Sequence, residues 1–405
     1  MSDMIAKHVI EALRSGVPSR TVGRYFTESR PKIMKQMTTR LDETCDGTSS
    51  SGMIIRGKYG EGKTHLLNTV FNMASERNMV VSMVSLSKET PFNNFAEVYG
   101  KLMANTYLPS REQPGFLHEL EERLSDSKFT SDLSLFASTE LECNKLYFIL
   151  KTLLREEDED MKVRLEADLM GDFMTAADWK KEYRKLYHEP AKPNMNFLKR
   201  RHVTDYIRFM SALFEKLGYR GWVILFDEAE LIGRSGKKAR LAAYDNMSQF
   251  LMPSKSIRSV FTLFAFTASY PEDVIESKHD YENLAELFPD NEEPMKSVLN
   301  QIVHAQQLVP LTSVEMHNVI DKIIDFHTRA YDWNLNVDRD YIIHRAEKSG
   351  ALLRTKLRTA IELLDQLYQY GEVKDIHTET LMEESFEEED IPDLLSEIME
   401  NATGE

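Results

Sequence analysis

Gly57-Lys58-Tyr59-Gly60-Glu61-Gly62-Lys63-Thr64 fits the pattern G-x-x-x-x-G-K-[ST] in full. Each position has a task in phosphate binding. Gly57, Gly60 and Gly62 let backbone N–H groups curl around phosphate oxygens with no Cβ in the way, and Tyr59 and Glu61 complete the loop. A helix opening directly after the loop turns its N-terminus towards the anion. Lys63 is the residue to neutralise the β- and γ-phosphates, and the Thr64 hydroxyl is a ligand for Mg²⁺. His65 follows the motif as a further candidate contact, although a lone histidine there is more often a packing residue.

A second chemical element is Val223-Ile224-Leu225-Phe226-Asp227-Glu228. An apolar strand ending in an acid brings that acid to the carboxyl edge of a sheet, beside a phosphate loop. Asp227 is then the Mg²⁺-holding carboxylate, acting through water, and Glu228 the general base that polarises the attacking water. At the end of a later apolar run, Thr267 and Ser269 compete to orient that water or touch the γ-phosphate. Arg354 and Arg358, one helical turn apart, are candidates to fold back onto the γ-phosphate, or they form a solvated helix face. Arg258 and Arg240 are candidate fingers acting on a neighbouring subunit.

These residues need a framework. Met53–Arg56 reads as a strand before the loop, HLLNTVFNMASERN as a helix after it, and Met79–Ser87 as a buried strand, together one βαβ unit. GWVILFDEAE and SVFTLFAFTAS are continuous apolar runs suited to central strands of a parallel sheet. The spacing also predicts helices over residues 4–14, stopped at Ser15-Gly16 with Pro18 beyond, and over Pro31–Glu43. Between about 95 and 215 the pattern is helical with no comparable apolar strand. That stretch holds an acidic run, Glu156–Asp160, and a basic tract of Lys180, Lys181, Arg184, Lys185, Lys199, Arg200 and Arg201. From Thr312 onward the pattern is helical again.

Composition sets outer limits. The chain has 405 residues and a formal net charge of −16, which disfavours coating nucleic acid over a broad surface. Much of the acid excess lies after Lys374, where Glu383 to Asp390 crowd together and Ile391–Met399 has helical apolar spacing. No apolar run approaches the ~20 residues of a membrane span. The first residues lack a signal-peptide core, and Cys45 and Cys143 are too few for a disulfide framework or metal cluster, so a cytoplasmic location is expected.

VIEALRSGVPSR (Val9–Arg20), IIRGKYGEGKTHLL, LFDEAE and VPLTSVEMHNVIDKIIDFHTRAY (Val309–Tyr331) together resemble the P-loop ATPases of bacteriophage-exclusion (BREX) systems, the smaller BrxD type first and the larger BrxC type behind it. The likeness spans most of residues 5–365 and is patchy over 105–200. It implies an α/β P-loop core of the AAA+ kind, a parallel sheet flanked by helices, similar to origin-recognition ATPases. It also implies ATP and Mg²⁺ as ligands and a role in prokaryotic defence against foreign DNA. Partners of the nuclease or methyltransferase class, DNA engagement and self-association belong to the same expectation. By position, Lys63, Thr64, Asp227 and Glu228 match the family's nucleotide and catalytic residues. One departure stands out: where the family leads one to expect a Thr-Pro-Glu run, this chain has Ala268-Ser269-Tyr270-Pro271-Glu272, one residue longer.

The expected organisation is an N-terminal helical segment over 1–50 and an ATPase core over 51–308 with the helical insertion at about 95–215. A C-terminal helical lid over 309–372, bearing the sensor arginines, and an acidic tail over 373–405 complete it. After residue 370 little room is left for a winged helix. Three functional readings stay open: a hydrolase that couples ATP state to conformational change, a nucleotide-gated scaffold whose turnover is incidental, and a DNA-stimulated motor engaging the basic tract.

Overall fold

The computed structural model describes residues 3–16, 19–27, 29–47, 50–253, 257–288, 292–350 and 352–373. Pro18, the acidic run Glu383–Asp390 and the segment Ile391–Met399 lie outside the described residues. Among those described, no helix is long and apolar enough to cross a membrane.

Six strands form one sheet: β1 (Ser51–Gly57), β2 (Val80–Ser85), β3 (Thr106–Tyr107), β4 (Trp222–Asp227), β5 (Val260–Thr267) and β6 (Gln306–Gln307), in the order β3-β2-β4-β5-β1-β6. All neighbours are parallel except β2 and β3. Every residue of β4 is buried, which explains its unbroken apolar sequence: a central parallel strand is covered on both faces. Burial of each Val, Ile, Leu or Phe in such a strand contributes roughly 1.5–3 kcal/mol. Two short strands, β3 inside the insertion and the polar β6, have no apolar signature and owe their geometry to neighbouring backbone.

Around the sheet the chain is helical. The helices α1 (Met4–Ser15), α2 (Arg20–Tyr25) and α3 (Pro31–Cys45) precede β1, and α4 (Lys63–Glu76) follows the glycine loop. The insertion runs through α5 (Phe95–Ala104), α6 (Leu117–Arg123), α7 (Ser127–Thr139), α8 (Lys145–Leu153), α9 (Glu159–Leu169), α10 (Ala176–Tyr187) and α11 (Lys199–Lys216). Next, α12 (Lys237–Leu251) links β4 to β5, and α13 (Asp280–Leu287) and α14 (Glu292–Val303) lead to β6. The chain then forms α15 (Ser313–Tyr331), α16 (Arg339–Lys348) and α17 (Leu353–Tyr370).

Leu66, Leu67 and Val70 of α4 and Ile33, Met37 and Leu41 of α3 cover one sheet face. The insertion helices with α12 and α14 cover the other. Inside the insertion, Lys145 is buried and donates to Asp168 Oδ2 at 2.6 Å, and the Tyr206 hydroxyl donates to Asp168 Oδ1 at 2.6 Å. This fixes the body of helices between β2 and β4 without any strand of its own beyond β3.

The first helix belongs to the last ones. Asp3 caps α1 by accepting from the Ile5 and Ala6 amides, and Gly16 closes it at φ +67°. The apolar stripe Ala6, Val9 and Ile10 packs into a cluster with Ile320, Ile324, Leu363 and Leu364 of α15 and α17. Arg14 grips Asp365 in a two-pronged pair, Nε to Oδ2 at 3.0 Å and Nη2 to Oδ1 at 2.6 Å. The residues before β1 are therefore divided: α1 joins the C-terminal bundle, whereas α3 lies against the sheet. Between them α2 rests on α4 so closely that a Cβ on Gly23 would stand 2.9 Å from the Asn68 carbonyl carbon.

Candidate nucleotide-binding site

The register of the sheet brings three strand ends to one edge. Gly57, where β1 ends and the loop begins, is paired with Thr267 at the end of β5. On the other side of β5 runs β4, carrying Asp227 at its last position. Loop, acid and the end of β5 are thus neighbours, as the switch in strand order between β1 and β4 requires.

The loop opens α4 with Gly62 at φ +92°, a conformation that strains any residue with a Cβ. Lys63 is 7% exposed; its ammonium donates to the Gly57 carbonyl at 3.2 Å and stands 3.7 Å from Glu230 Oε1. The Thr64 hydroxyl donates to Asp227 Oδ2 at 2.6 Å, while Asp227 Oδ1 accepts from the Glu228 amide at 3.0 Å. Burial raises the Asp227 carboxyl above its ordinary pKa, opposed by those two hydrogen bonds and by Lys63. Glu228 has φ +55°, in the left-handed region. A non-glycine residue held there costs about 1–3 kcal/mol, a strain found where side-chain aim matters.

Thr64 and Asp227 offer paired hard oxygen ligands, the donor set that suits Mg²⁺ alongside phosphate oxygens and water. Among the described residues no cluster of three His, Cys, Asp or Glu side chains makes a metal site by itself.

A cavity of about 260 Å³ opens over the loop. Its polar end is lined by Tyr59, Gly60, Gly62, Lys63, Thr64 and His65, with Glu228, Arg30 and Arg354 on the walls. Its apolar end is built by Ala12, Leu13, Val22 and Phe26 from the N-terminal helices and by Leu311, Val319, Leu353 and Leu357 from the C-terminal bundle. His65 Nε2 is hydrogen-bonded to the Phe26 carbonyl at 2.9 Å, and burial lowers its pKa. It ties α4 to the N-terminal segment while also facing the cavity.

Not every candidate residue comes to the site. Glu61 is buried beneath the loop against Arg30. Thr267 lies beside Gly57 with its hydroxyl buried and, among the described residues, without a hydrogen-bond partner. Ser269 lies beyond the strand, where its carbonyl accepts from the Asp273 amide at 2.8 Å. Neither lines the cavity. Directly after Ala268-Ser269-Tyr270 the chain forms a π-helical turn, Pro271–Glu276. Tyr270 anchors that turn: its hydroxyl meets Tyr244 at 2.9 Å within a buried network around Asp280.

The arginines separate clearly. Arg354 lines the cavity; its amide donates to the Gly60 carbonyl at 3.3 Å, Nη1 to the Tyr59 hydroxyl at 3.2 Å, and Nη2 to the Gly16 carbonyl. Arg358 is exposed and does not line the cavity. Arg240 is 2% exposed and clamps Asp280 through Nε and Nη2 at 2.7–3.0 Å, so it cannot reach a neighbouring subunit. Arg258 is exposed just before β5 begins, at the sheet edge opposite the loop. In the basic tract, Arg201 pairs with Glu142 and Lys185 with Glu182.

Two residues of the site escaped the sequence reading. Glu230 is 5% exposed, with Oε1 near Lys63 and Oε2 without a hydrogen-bond partner among the described residues. Burial pushes its carboxyl up to about 7 against the pull of Lys63. The acid in the fourth position of DEAE was its only signal. Arg30 had none beyond standing before a helix-initiating proline.

A family model described as BREX system ATP-binding protein BrxC/D matches residues 1–127 and 149–385. Among solved structures the chain is similar to a Walker-type ATPase of Pyrococcus abyssi, at 12% identity and a TM-score of 0.39, covering 84% of this chain and 68% of that one. It is also similar to the ORC2 protein of Aeropyrum pernix in ADPNP–ADP complexes, at 11% identity and a TM-score of 0.36. That likeness covers 83% of this chain and 61% of the other. No curated protein sequence matches.

Proposed function

The chain belongs to the BREX system ATP-binding protein BrxC/D family, and from that premise we propose that it hydrolyses ATP and uses the nucleotide state to set the position of its C-terminal bundle. The observation carrying this reading is the 2.6 Å contact between Thr64 and Asp227, with Lys63 and Glu228 beside it. Lys63 leaves Glu230 for the β- and γ-phosphates. Thr64 and Asp227 are the residues that would hold Mg²⁺, whose charge would offset that of the phosphates. Glu228 takes the proton of a water as its oxygen attacks the γ-phosphorus, and the bond to the ADP oxygen breaks. Arg354, on the rim, is the bundle's contact with the γ-phosphate.

The cavity wall supports the coupling. Its apolar end is made of residues from both ends of the chain, so a base bound there draws α1, α2, α15 and α17 against the loop. Other components of the defence system are the partners this state would engage, in the cytoplasm. Two basic-tract side chains already paired with acids weaken the reading of a motor driven by DNA along that tract. A nucleotide-gated switch with negligible turnover is the second reading: Lys63 and Arg354 both make contacts with protein groups, Glu230 and Gly16, that a bound nucleotide would rearrange.

The test is a Mg²⁺-dependent phosphate-release assay with a parallel ATP-binding titration. Lys63→Ala should lower ATP affinity by roughly a hundredfold, the scale of a lost charge-assisted phosphate contact. Undiminished affinity would remove the loop from the account. Binding without measurable release in the wild-type chain would select the switch.

A further inference from the structure

Arg30 is 8% exposed and stands between the phosphate loop and the C-terminal bundle. Its Nη2 donates to the Glu61 carbonyl at 2.7 Å and lies 3.7 Å from Glu61 Oε2. Nε and Nη2 each donate to the Val309 carbonyl at 3.2 Å, in the segment leading from β6 to α15. Its backbone amide donates to Glu315 Oε1 at 2.7 Å. Glu315 caps α15 with its other oxygen, which accepts from the Thr312 amide at 2.9 Å. One residue therefore holds the loop through its side chain and the head of α15 through its backbone.

That arrangement is specified rather than incidental. Arg30 has φ +57° and ψ +57°, left-handed and directly before Pro31, where a following proline favours extended backbone. The flanking contacts impose it. The planar fork is also needed: a guanidinium can serve the Glu61 and Val309 carbonyls together, whereas an ammonium is a point donor. Peptide planarity adds a consequence for the ligand. Fixing the Glu61 C=O fixes the opposed direction of the Gly62 N–H, and that amide belongs to the loop that lines the cavity.

We propose that Arg30 is a positioning residue that couples the phosphate loop to the C-terminal bundle: a shift of the Glu61 carbonyl on nucleotide binding passes through the guanidinium to Val309 and through the Arg30 amide to Glu315 at the head of α15. The proposal rests on the nucleotide reading above and adds the route by which the loop addresses the bundle. Arg30 also aims the Gly62 amide, so its loss weakens nucleotide binding as well as transmission.

Hydrogen exchange of the full chain tests this, with and without a saturating non-hydrolysable ATP analogue and Mg²⁺. Two segments are followed, the loop (57–66) and the head of α15 (312–318). In the wild type both slow on binding. In Arg30→Lys the loop still slows, at a higher analogue concentration, but the response at the head falls to less than about half. Glu315→Ala keeps the guanidinium and the Thr312 hydroxyl's bond from the Glu315 amide but loses the carboxylate's bond from the Thr312 amide. Measured against its own exchange without the analogue, it gives the same loss of response at the head and serves if the arginine variant folds poorly. A wild-type head that does not respond, or variants whose heads respond at full size while the loop is saturated, overturns the coupling alone. A wild-type loop that does not respond overturns the nucleotide reading and this proposal with it.

Discussion

Lys63 and Glu230 form a buried pair, 3.7 Å apart, at the point where a phosphate would need the lysine. The lysine also donates to Gly57, so it is held by two protein oxygens. The phosphate contact proposed for Lys63 competes with this carboxylate, and Glu230→Gln should tighten ATP binding severalfold by weakening the competitor. Titration calorimetry of both forms checks this; equal or weaker binding by the variant contradicts it.

The same carboxyl predicts a pH dependence of stability. Burial raises the Glu230 pKa from 4.5 to about 7. An acid with a raised folded pKa contributes stability that is fully present below 4.5 and is lost as pH rises through about 7. The loss is on the order of 3 kcal/mol. Thermal melts of the nucleotide-free chain between about pH 5.5 and 8 should fall more steeply for the wild type than for Glu230→Gln. Parallel curves would show that Glu230 is already ionised throughout.

Arg354 and Arg358 sit one turn apart on α17 but in different surroundings. Arg354→Met should lower turnover roughly tenfold to a hundredfold, because it removes a cation from the cavity rim. Arg358→Met, at an exposed position, should stay within about twofold of the wild type. Steady-state rates for the two variants decide it, and reversed effects would reassign the sensor.

Arg240 is a structural residue in this fold. Replacing it with Met leaves Asp280 buried and unpaired, at a cost of about 3–5 kcal/mol. Denaturant unfolding should register that loss, and Arg240→Met/Asp280→Asn should recover part of it. If Arg240→Met were as stable as the wild type yet lost activity only in mixed oligomers, the residue would be a finger after all.

What could be read from the sequence follows from how local each signal is. The glycine loop and the run Val223–Asp227 were legible because both are contiguous and their chemistry is set by neighbours along the chain. The run Ala268–Glu272 was visible as a departure, but nothing local in it announces the π-helical turn beside it or the contact of Tyr270 with Tyr244, distant in sequence. Arg30 was invisible for the same reason: its partners lie 31, 279 and 285 residues away. The stripe on α1 announced a buried face without saying that α15 and α17 bury it. Glu230 reads as an acid at a helix start until the fold encloses it.

Glu228 is the proposed base of a working ATPase. The most direct measurement is single-turnover ATP hydrolysis with Mg²⁺ by the wild type and Glu228→Gln, with ATP affinity measured on the same samples. If Glu228 is the base, the variant keeps near wild-type affinity and its rate falls by roughly a hundredfold or more. Hydrolysis by Glu228→Gln at the wild-type rate would contradict it.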